Sequence, residues 1–363
     1  MTRKYQICSR CVMDTSDPEI EFDENGVCNH CRGYFSRLER YILPPEERQV
    51  ELKHILAEIK EKGKGKQYDC IAGISGGVDS TYMIYKAVDL GLRPLAVHLD
   101  NGWDSRLAVT NIEKVLNRLN VDLYTHVIEW EEFKDLHLAY FKASVVDIEV
   151  ATDHAITAVI HDVADEQGVK YILSGGNYAT EGIMPRSWVW TKNDLANLSD
   201  IHRRFGTKKL RTYPRLGFRR LVFLRKVRGF KSIPLLNYLD YNRADAKKFL
   251  MDDFGWEDYG GKHYESLFTK FYQSYILPTK FNIDKRRAHL STLICSGQIT
   301  REEALETLKE PLYDEKEFKR DREYFLKKLC LTDEQFDDLM KQPTKRHDEY
   351  KTDLWMRRLL GSG

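Results

Sequence analysis

The stretch "CIAGISGGVDSTYMIYKA", Cys70 to Ala87, decides how the chain is read. Cys70 to Ile74 is a short apolar run entered from a polar segment, Gly63 to Gln67, as a buried parallel strand would be. From Asp79 onward, Tyr82, Met83, Tyr85, Lys86 and Val88 read as the start of a helix. The turn between them holds Ser75, Gly76, Gly77, Val78, Asp79 and Ser80. Glycines there let the backbone approach a ligand, and the first helical N–H groups point outward without partners, which makes an anion site. The plainer reading is a Gly/Ser turn with an N-capping Asp. A Walker-type loop would carry Lys before its Ser or Thr, and this loop has none.

Ser-Gly-Gly-x-Asp-Ser resembles instead the PP-loop of ATP pyrophosphatases, which cleave ATP between the α- and β-phosphates. The resemblance implies that Ser75 to Ser80 hold the departing pyrophosphate and that Asp79 helps to bind Mg²⁺.

Outward from the loop, strand and helix alternate. Glu46 to Lys62 reads as helix, Leu95 to Leu99 as strand, Leu107 to Leu119 as helix and Asp122 to Ile128 as strand. Helices near Glu131–Ala143 and Thr152–Glu166 follow, then a strand at Tyr171 to Leu173 that stops at Ser174-Gly175-Gly176-Asn177. Repeated β-α-β predicts an α/β fold with a doubly wound parallel sheet and a crevice outside the carboxyl ends of the strands. Beyond about residue 190 the pattern is mostly helical. The expected organisation is a zinc module over 1–45, an ATP-binding α/β domain over 46–200 and a mostly helical region for substrate or partner over 201–363.

The chain has 57 basic and 56 acidic residues among 363, so it is not a polyanion binder as a whole. No apolar run reaches the ~18 residues of a membrane span, and MTRKYQICSR has no signal-peptide core, so a cytoplasmic protein is expected. Of seven cysteines, four are grouped: Cys8-x2-Cys11, sixteen residues, then Cys28-x2-Cys31. That spacing fits a closed, structural four-thiolate zinc site. A disulfide framework is the alternative, and a reducing cytoplasm argues against it. His30 is taken as a neighbour and not a ligand, and Cys70 as part of a strand interior.

Asp100 and Asn101 end the second strand, where nucleotide folds meet ribose and adenine. Gly175, Asn177 and Glu181 form a second phosphate- or metal-facing loop. Glu149 and Asp153 loosely resemble the acidic pair of the asparagine synthetase C-terminal domain, at a different spacing. There one acid meets magnesium and another takes a proton from ammonia. The alternative is N-capping by Thr152 or Asp153. Lys262 and His263 follow a Gly-Gly turn, and Lys285, Arg286 and Arg287 open a further helix, where cations oppose the dipole unless an anion is near. Lys262 or this trio is expected to neutralise pyrophosphate as it leaves. Arg203 to Lys231 holds twelve Lys/Arg, no acid and five interleaved aromatics. RNA, a diphosphate-and-base pocket and a solvated face all fit that composition.

The cysteines, the Ser75–Ser80 loop and "YGGKHYESLFTKFYQSYILPTKFNIDKRRAHLS", Tyr259 to Ser291, together resemble the N-acetyl sugar amidotransferases of bacterial surface-polysaccharide (lipopolysaccharide O-antigen) synthesis, the WbpG type. The resemblance covers nearly the whole chain. It implies ATP, Mg²⁺ and structural Zn²⁺, and a UDP-linked N-acetylated sugar whose acetamido group becomes acetamidino through an adenylated imidate and ammonia. It also implies a separate glutaminase that supplies the ammonia, like that of histidine biosynthesis. With the zinc cysteines and Cys70 committed, no glutaminase nucleophile is left in the chain. Neither nucleic acid nor membrane is expected as a partner. A tRNA-modifying PP-loop thiolase is the runner-up, but it calls for a second cysteine pair that Cys70, Cys295 and Cys330 do not form.

Overall fold

The computed structural model describes residues 4–262 and 264–359. Helices α1 (Asn29–Tyr41) and α2 (Pro45–Lys62) lead into β1 (Cys70–Gly73), α3 (Val78–Asp89), β2 (Pro94–Asp100), α4 (Arg106–Leu119) and β3 (Leu123–Val127). Then come α5 (Trp130–Ala143), α6 (Val150–Glu166), β4 (Tyr171–Ser174), α7 (Tyr178–Glu181), α8 (Leu195–Phe205), α9 (Phe218–Lys226) and β5 (Lys231–Pro234). The remainder is helical: α10 (Arg243–Phe254), α11 (Leu267–Phe271), α12 (Leu277–Phe281), α13 (Arg286–Cys295), α14 (Arg301–Lys309), α15 (Glu315–Leu329), α16 (Asp333–Lys341) and α17 (Leu354–Leu359). Among the described residues no helix is long and apolar enough to cross a membrane.

All five strands pair in parallel, in the order β3-β2-β1-β4-β5. Side chains alternate between two cores. Ile71, Leu95, Val97, Leu99 and Ile172 pack on the side of α5 and α6. Cys70, Ala72, Ala96, Tyr171 and Leu173 pack on the side of α2, α3, α4 and α10. A strand covered on both faces has no polar side to show, which is why β1 reads as an unbroken apolar run. The fifth strand, Lys231–Pro234, comes from beyond residue 200, where helix was expected. It is short and half exposed, with Pro at its end, so it lacked the apolar run that marks the inner strands.

The N-terminal cysteines sit against the C-terminal helices. Val12 N–H donates to Ser291 Oγ (3.2 Å), and Arg301 donates to the carbonyls of Cys8 (3.0 Å) and Cys11 (3.1 Å). Arg287 donates to the Val12 carbonyl (2.8 Å) and pairs with Asp14 (3.1 Å). The four sulfurs are buried and lie within 4.8 Å of one another. Cys8 and Cys31 Sγ are 4.0 Å apart, and Cys11 and Cys28 Sγ 3.7 Å. Zn–S bonds of about 2.3 Å would set the edges of a tetrahedron near ~3.8 Å, so the cluster fits the ion. The amides of Arg10, Cys11 and Cys28 all donate to Cys8 Sγ, which favours a thiolate there. His30 turns away to Asp17 (2.6 Å).

Because metal binding to such a cluster is folding energy, Cys28→Ser is expected to lose zinc on elemental analysis and to lower Tm. Undiminished zinc in the purified variant would overturn the assignment.

Candidate functional site

β1 and β4 are neighbours, Ile71 against Ile172, and the strand order reverses between them. In open parallel sheets ligands bind at such a switch point, outside the carboxyl ends of the strands. The loops after β1 and β4 therefore meet. A Cβ on Gly175 would lie 2.9 Å from Ser80 Cα and 3.0 Å from its nitrogen, so only glycine lets the two backbones pass. Gly76 takes φ +84°, and its carbonyl accepts from Trp256 Nε1 (2.9 Å) and the Tyr259 hydroxyl (2.8 Å). α3 begins at Val78 behind Gly77, without a side-chain cap, leaving its first amides for a ligand.

These loops open on a cavity of about 700 Å³. Of the expected site residues, Ser75, Gly77, Val78, Asp79, Ser80, Asn101, Glu149, Asp153, Gly175, Glu181, Lys262 and Lys285 line it. Asp79 accepts from the Tyr241 hydroxyl and lies 3.8 Å from Lys262 Nζ, which also pairs with Glu181 (3.1 Å). Deeper in, Lys192 bridges Asp147 (2.7 Å) and Asp153 (2.9 Å), while Lys285 pairs with Glu149 (3.2 Å). Gln273 also donates to Glu149 (3.3 Å). Burial opposes the charge on Lys192, but Asp147, Asp153 and Glu149 together raise its pKa. Burial, and then Glu149, raise the Asp153 carboxyl against the pull of Lys192. Burial works the same way on Asp147, yet Lys192 and Lys285 hold it below the usual carboxylate range.

Other expected residues stand elsewhere. Asp100 Oδ1 accepts from the Gly102 amide (2.9 Å) and the residue does not line the cavity, whereas Asn101 and Asp104 do. Asn177 caps α7 through the Thr180 amide, and Gly76 faces the Trp256 side. Arg286 closes on Asp284 (2.8 Å) and on the carbonyl of Glu310 (2.9 Å). Arg287 braces the cysteine segment through Val12 and Asp14. Neither arginine lines the cavity, because successive helical residues point about 100° apart. His263 lies outside the described residues. Thr152 and Asp153 fall inside the first turn of α6 and cap nothing.

Half of the twelve cations of the basic stretch pair with acids, two within their own helix and four with other segments. Arg203 and Arg204 pair with Asp200, Lys208 with Glu131, Arg220 with Asp162, Arg228 with Asp165 and Lys231 with Glu58. From it only Arg225 reaches the cavity rim. Lys192, Arg243 and Tyr241 belong to the site but carried no motif, and Gln273 was not singled out within the Tyr259–Ser291 stretch. Only their surroundings in space identify them.

Acidic side chains outnumber basic ones in the cavity wall. A polyphosphate entering it needs a divalent cation for company. Asp79 and Glu181, already drawn together by Lys262, are the carboxylates suited to hold Mg²⁺ beside the loop.

Gly175→Ala is expected to push the Ser80 backbone aside, at a cost of about 1–3 kcal/mol in stability. Nucleotide affinity should fall with it, as read by calorimetric titration. Unchanged nucleotide affinity would show that the contact does not shape the site.

Residues 265–360 match the family model described as LPS biosynthesis protein WbpG-like, C-terminal domain. No curated protein matches the chain. Among solved structures, the NMN synthetase of Francisella tularensis overlaps 55% of this chain and 75% of its own, at 17% identity and a TM-score of 0.31. The NH3-dependent NAD synthetase of Campylobacter jejuni subsp. jejuni NCTC 11168, in complex with the nitrate ion, overlaps 57% and 84%, at 14% identity and a TM-score of 0.30. At these scores neither overlap bears on the chemistry of this chain. The WbpG-like resemblance carried by the cysteines, the Ser75–Ser80 loop and the Tyr259–Ser291 stretch is the family that the match to residues 265–360 returns.

Proposed function

We propose that the chain is an ATP-dependent amidotransferase that converts an acetamido group of a UDP-linked N-acetylated sugar to an acetamidino group, for surface-polysaccharide synthesis. The observation that carries this reading is one cavity shared by two glycine-rich strand-end loops and a set of paired carboxylates and lysines. The loops suit the phosphates of ATP. The acids suit a reaction in which ammonia must shed protons.

In the first step the acetamido oxygen bonds to the α-phosphorus while the bond from that phosphorus to the α,β-bridging oxygen breaks. Its electron pair leaves with pyrophosphate, and the imidate nitrogen gives up its proton. In the second, ammonia adds to the imidate carbon and AMP departs with the former amide oxygen. Amide, ATP and ammonia thus become amidinium, AMP and singly protonated pyrophosphate. An amide oxygen leaves poorly and an adenylate leaves well, so the protein's task is to position reactants and offset charge. Mg²⁺ held at Asp79 and Glu181 would supply charge neutralisation at the phosphates. Lys262, at the same carboxylates, offers the second cation. Glu149 and Asp153 are the carboxylates assigned to take a proton from ammonia, and the raised pKa of Asp153 supports that role.

The thiolase alternative loses support from the cysteines. Cys70 is buried in β1, Cys295 stands beside Cys31 (3.7 Å), and Cys330 is exposed on its own. None lines the cavity.

The test is a mass-spectrometric screen of UDP-acetamido sugars with ATP, Mg²⁺ and an ammonium salt. A product lighter by the difference between oxygen and NH is expected, with AMP and pyrophosphate. ADP and orthophosphate would overturn the reading. Asp79→Asn is expected to lower turnover by about 100-fold or more with the fold intact.

A second prediction concerns nitrogen. The purified chain is expected to use ammonium salts at high concentration and to ignore glutamine until a separate glutaminase is added. Efficient glutamine use by the chain alone would contradict this division of labour.

A further inference from the structure

Arg243 opens α10, and three features of its setting are costly. A cation in the first turn opposes the helix dipole. Its Nε is buried without a hydrogen-bond partner, and among the described residues no carboxylate forms an ion pair with it. An orphaned, desolvated charged donor is expensive in a folded protein. Several other arginines are matched, Arg93 with Asp69, Arg286 with Asp284, Arg287 with Asp14 and Arg357 with Asp353, while Arg225 at the cavity rim is exposed to solvent. Arg243 lines the cavity with Asp79, Glu181, Gly261 and Lys262, at the end where the Ser75–Ser80 loop lies.

Its backbone is also fixed. The Arg243 amide donates to Gln298 Oε1 (2.9 Å), Gln298 Nε2 reaches the Tyr241 carbonyl (3.5 Å), and the Tyr241 hydroxyl holds Asp79. The start of α10 and the phosphate loop are therefore tied to one another. A guanidinium held there, facing a cavity without a counter-charge of its own, waits for an anion from outside. Its planar fork matches phosphate oxygens better than a point charge would.

We propose that Arg243 binds the β- and γ-phosphates of ATP and carries the charge that collects on pyrophosphate as the bond between the α-phosphorus and the bridging oxygen breaks. It fills the role expected of Arg286 and Arg287, which the fold commits to other contacts. The inference rests on the ATP-pyrophosphatase part of the proposed function and needs neither the sugar nor ammonia. Lys262 and Arg243 then flank the departing group, Lys262 from the Tyr259–Gly261 turn and Arg243 from α10.

The experiment titrates the full chain with magnesium pyrophosphate and, separately, with AMP, by calorimetry. Wild type is expected to bind both. Arg243→Met should weaken pyrophosphate by about 10- to 100-fold, the scale of one lost charged hydrogen bond, while AMP affinity stays near wild type. Arg243→Lys should recover part of the loss, since it restores charge without the fork. Pyrophosphate binding unchanged in Arg243→Met would overturn the role of Arg243 and leave the ATP site standing. Equal losses for AMP and pyrophosphate would mark Arg243 as structural and overturn the proposal. A wild-type chain that binds neither would overturn it together with the ATP-site reading.

Discussion

The backbone of Ser80 passes where a side chain at residue 175 would stand, and the rest of the site depends on that contact. It exists because β1, paired with β2 on one side, pairs with β4 on the other, so the loops after β1 and β4 leave adjacent strand ends. Parallel pairing brings both carboxyl ends to one edge, and reversal of strand order there leaves a crevice between the helices that follow. α3 brings Asp79 to that crevice and α7 brings Glu181. α6 brings Glu149 and Asp153 to its floor. No segment holds the site alone, so the fold and the site form together.

Charge is the second constraint. The cavity's Asp153 and the buried Asp147 beside it are held by Lys192, and Glu149 is held by Lys285, each cation coming from a distant part of the chain. Buried ions are tolerated only when paired. A pair in such a place costs more than a hydrophobic contact and is kept for what it can do. The arrangement also sets the role of the C-terminal region. Lys285 stands at the start of α13, and the far end of that helix puts Cys295 against Cys31. Through Ser291, Arg287 and Arg301 the cysteine cluster grips α13 and α14. A metal held by these cysteines would stiffen the helix that presents Lys285.

Much of this was legible in the sequence because it is local. An apolar run, a glycine turn and a helix are read from neighbours, and the strands and helices from Cys70 to Ser174 fell where their periodicity put them. The two cysteine pairs were legible for the same reason. What escaped was set by space. Lys-Arg-Arg at 285–287 looked like one cationic patch, but a helix turns each residue about 100° from the last, and only Lys285 faces the cavity. Asp100, read as a ribose ligand, turns one oxygen to the Gly102 amide and does not line the cavity. Lys192 and Arg243 lie far along the chain from the acids and phosphate loop they meet. A short strand with a terminal Pro, β5, carries too few residues to show a period.

In the proposed first step the oxygen of the acetamido group attacks the α-phosphorus of ATP. The most direct measurement labels that oxygen with a heavy isotope in the sugar nucleotide and follows it by mass spectrometry after one turnover with ammonia. The label is expected in the phosphate of AMP, with pyrophosphate unlabelled. Label found in water, in pyrophosphate or in orthophosphate, with AMP unlabelled or absent, would contradict it.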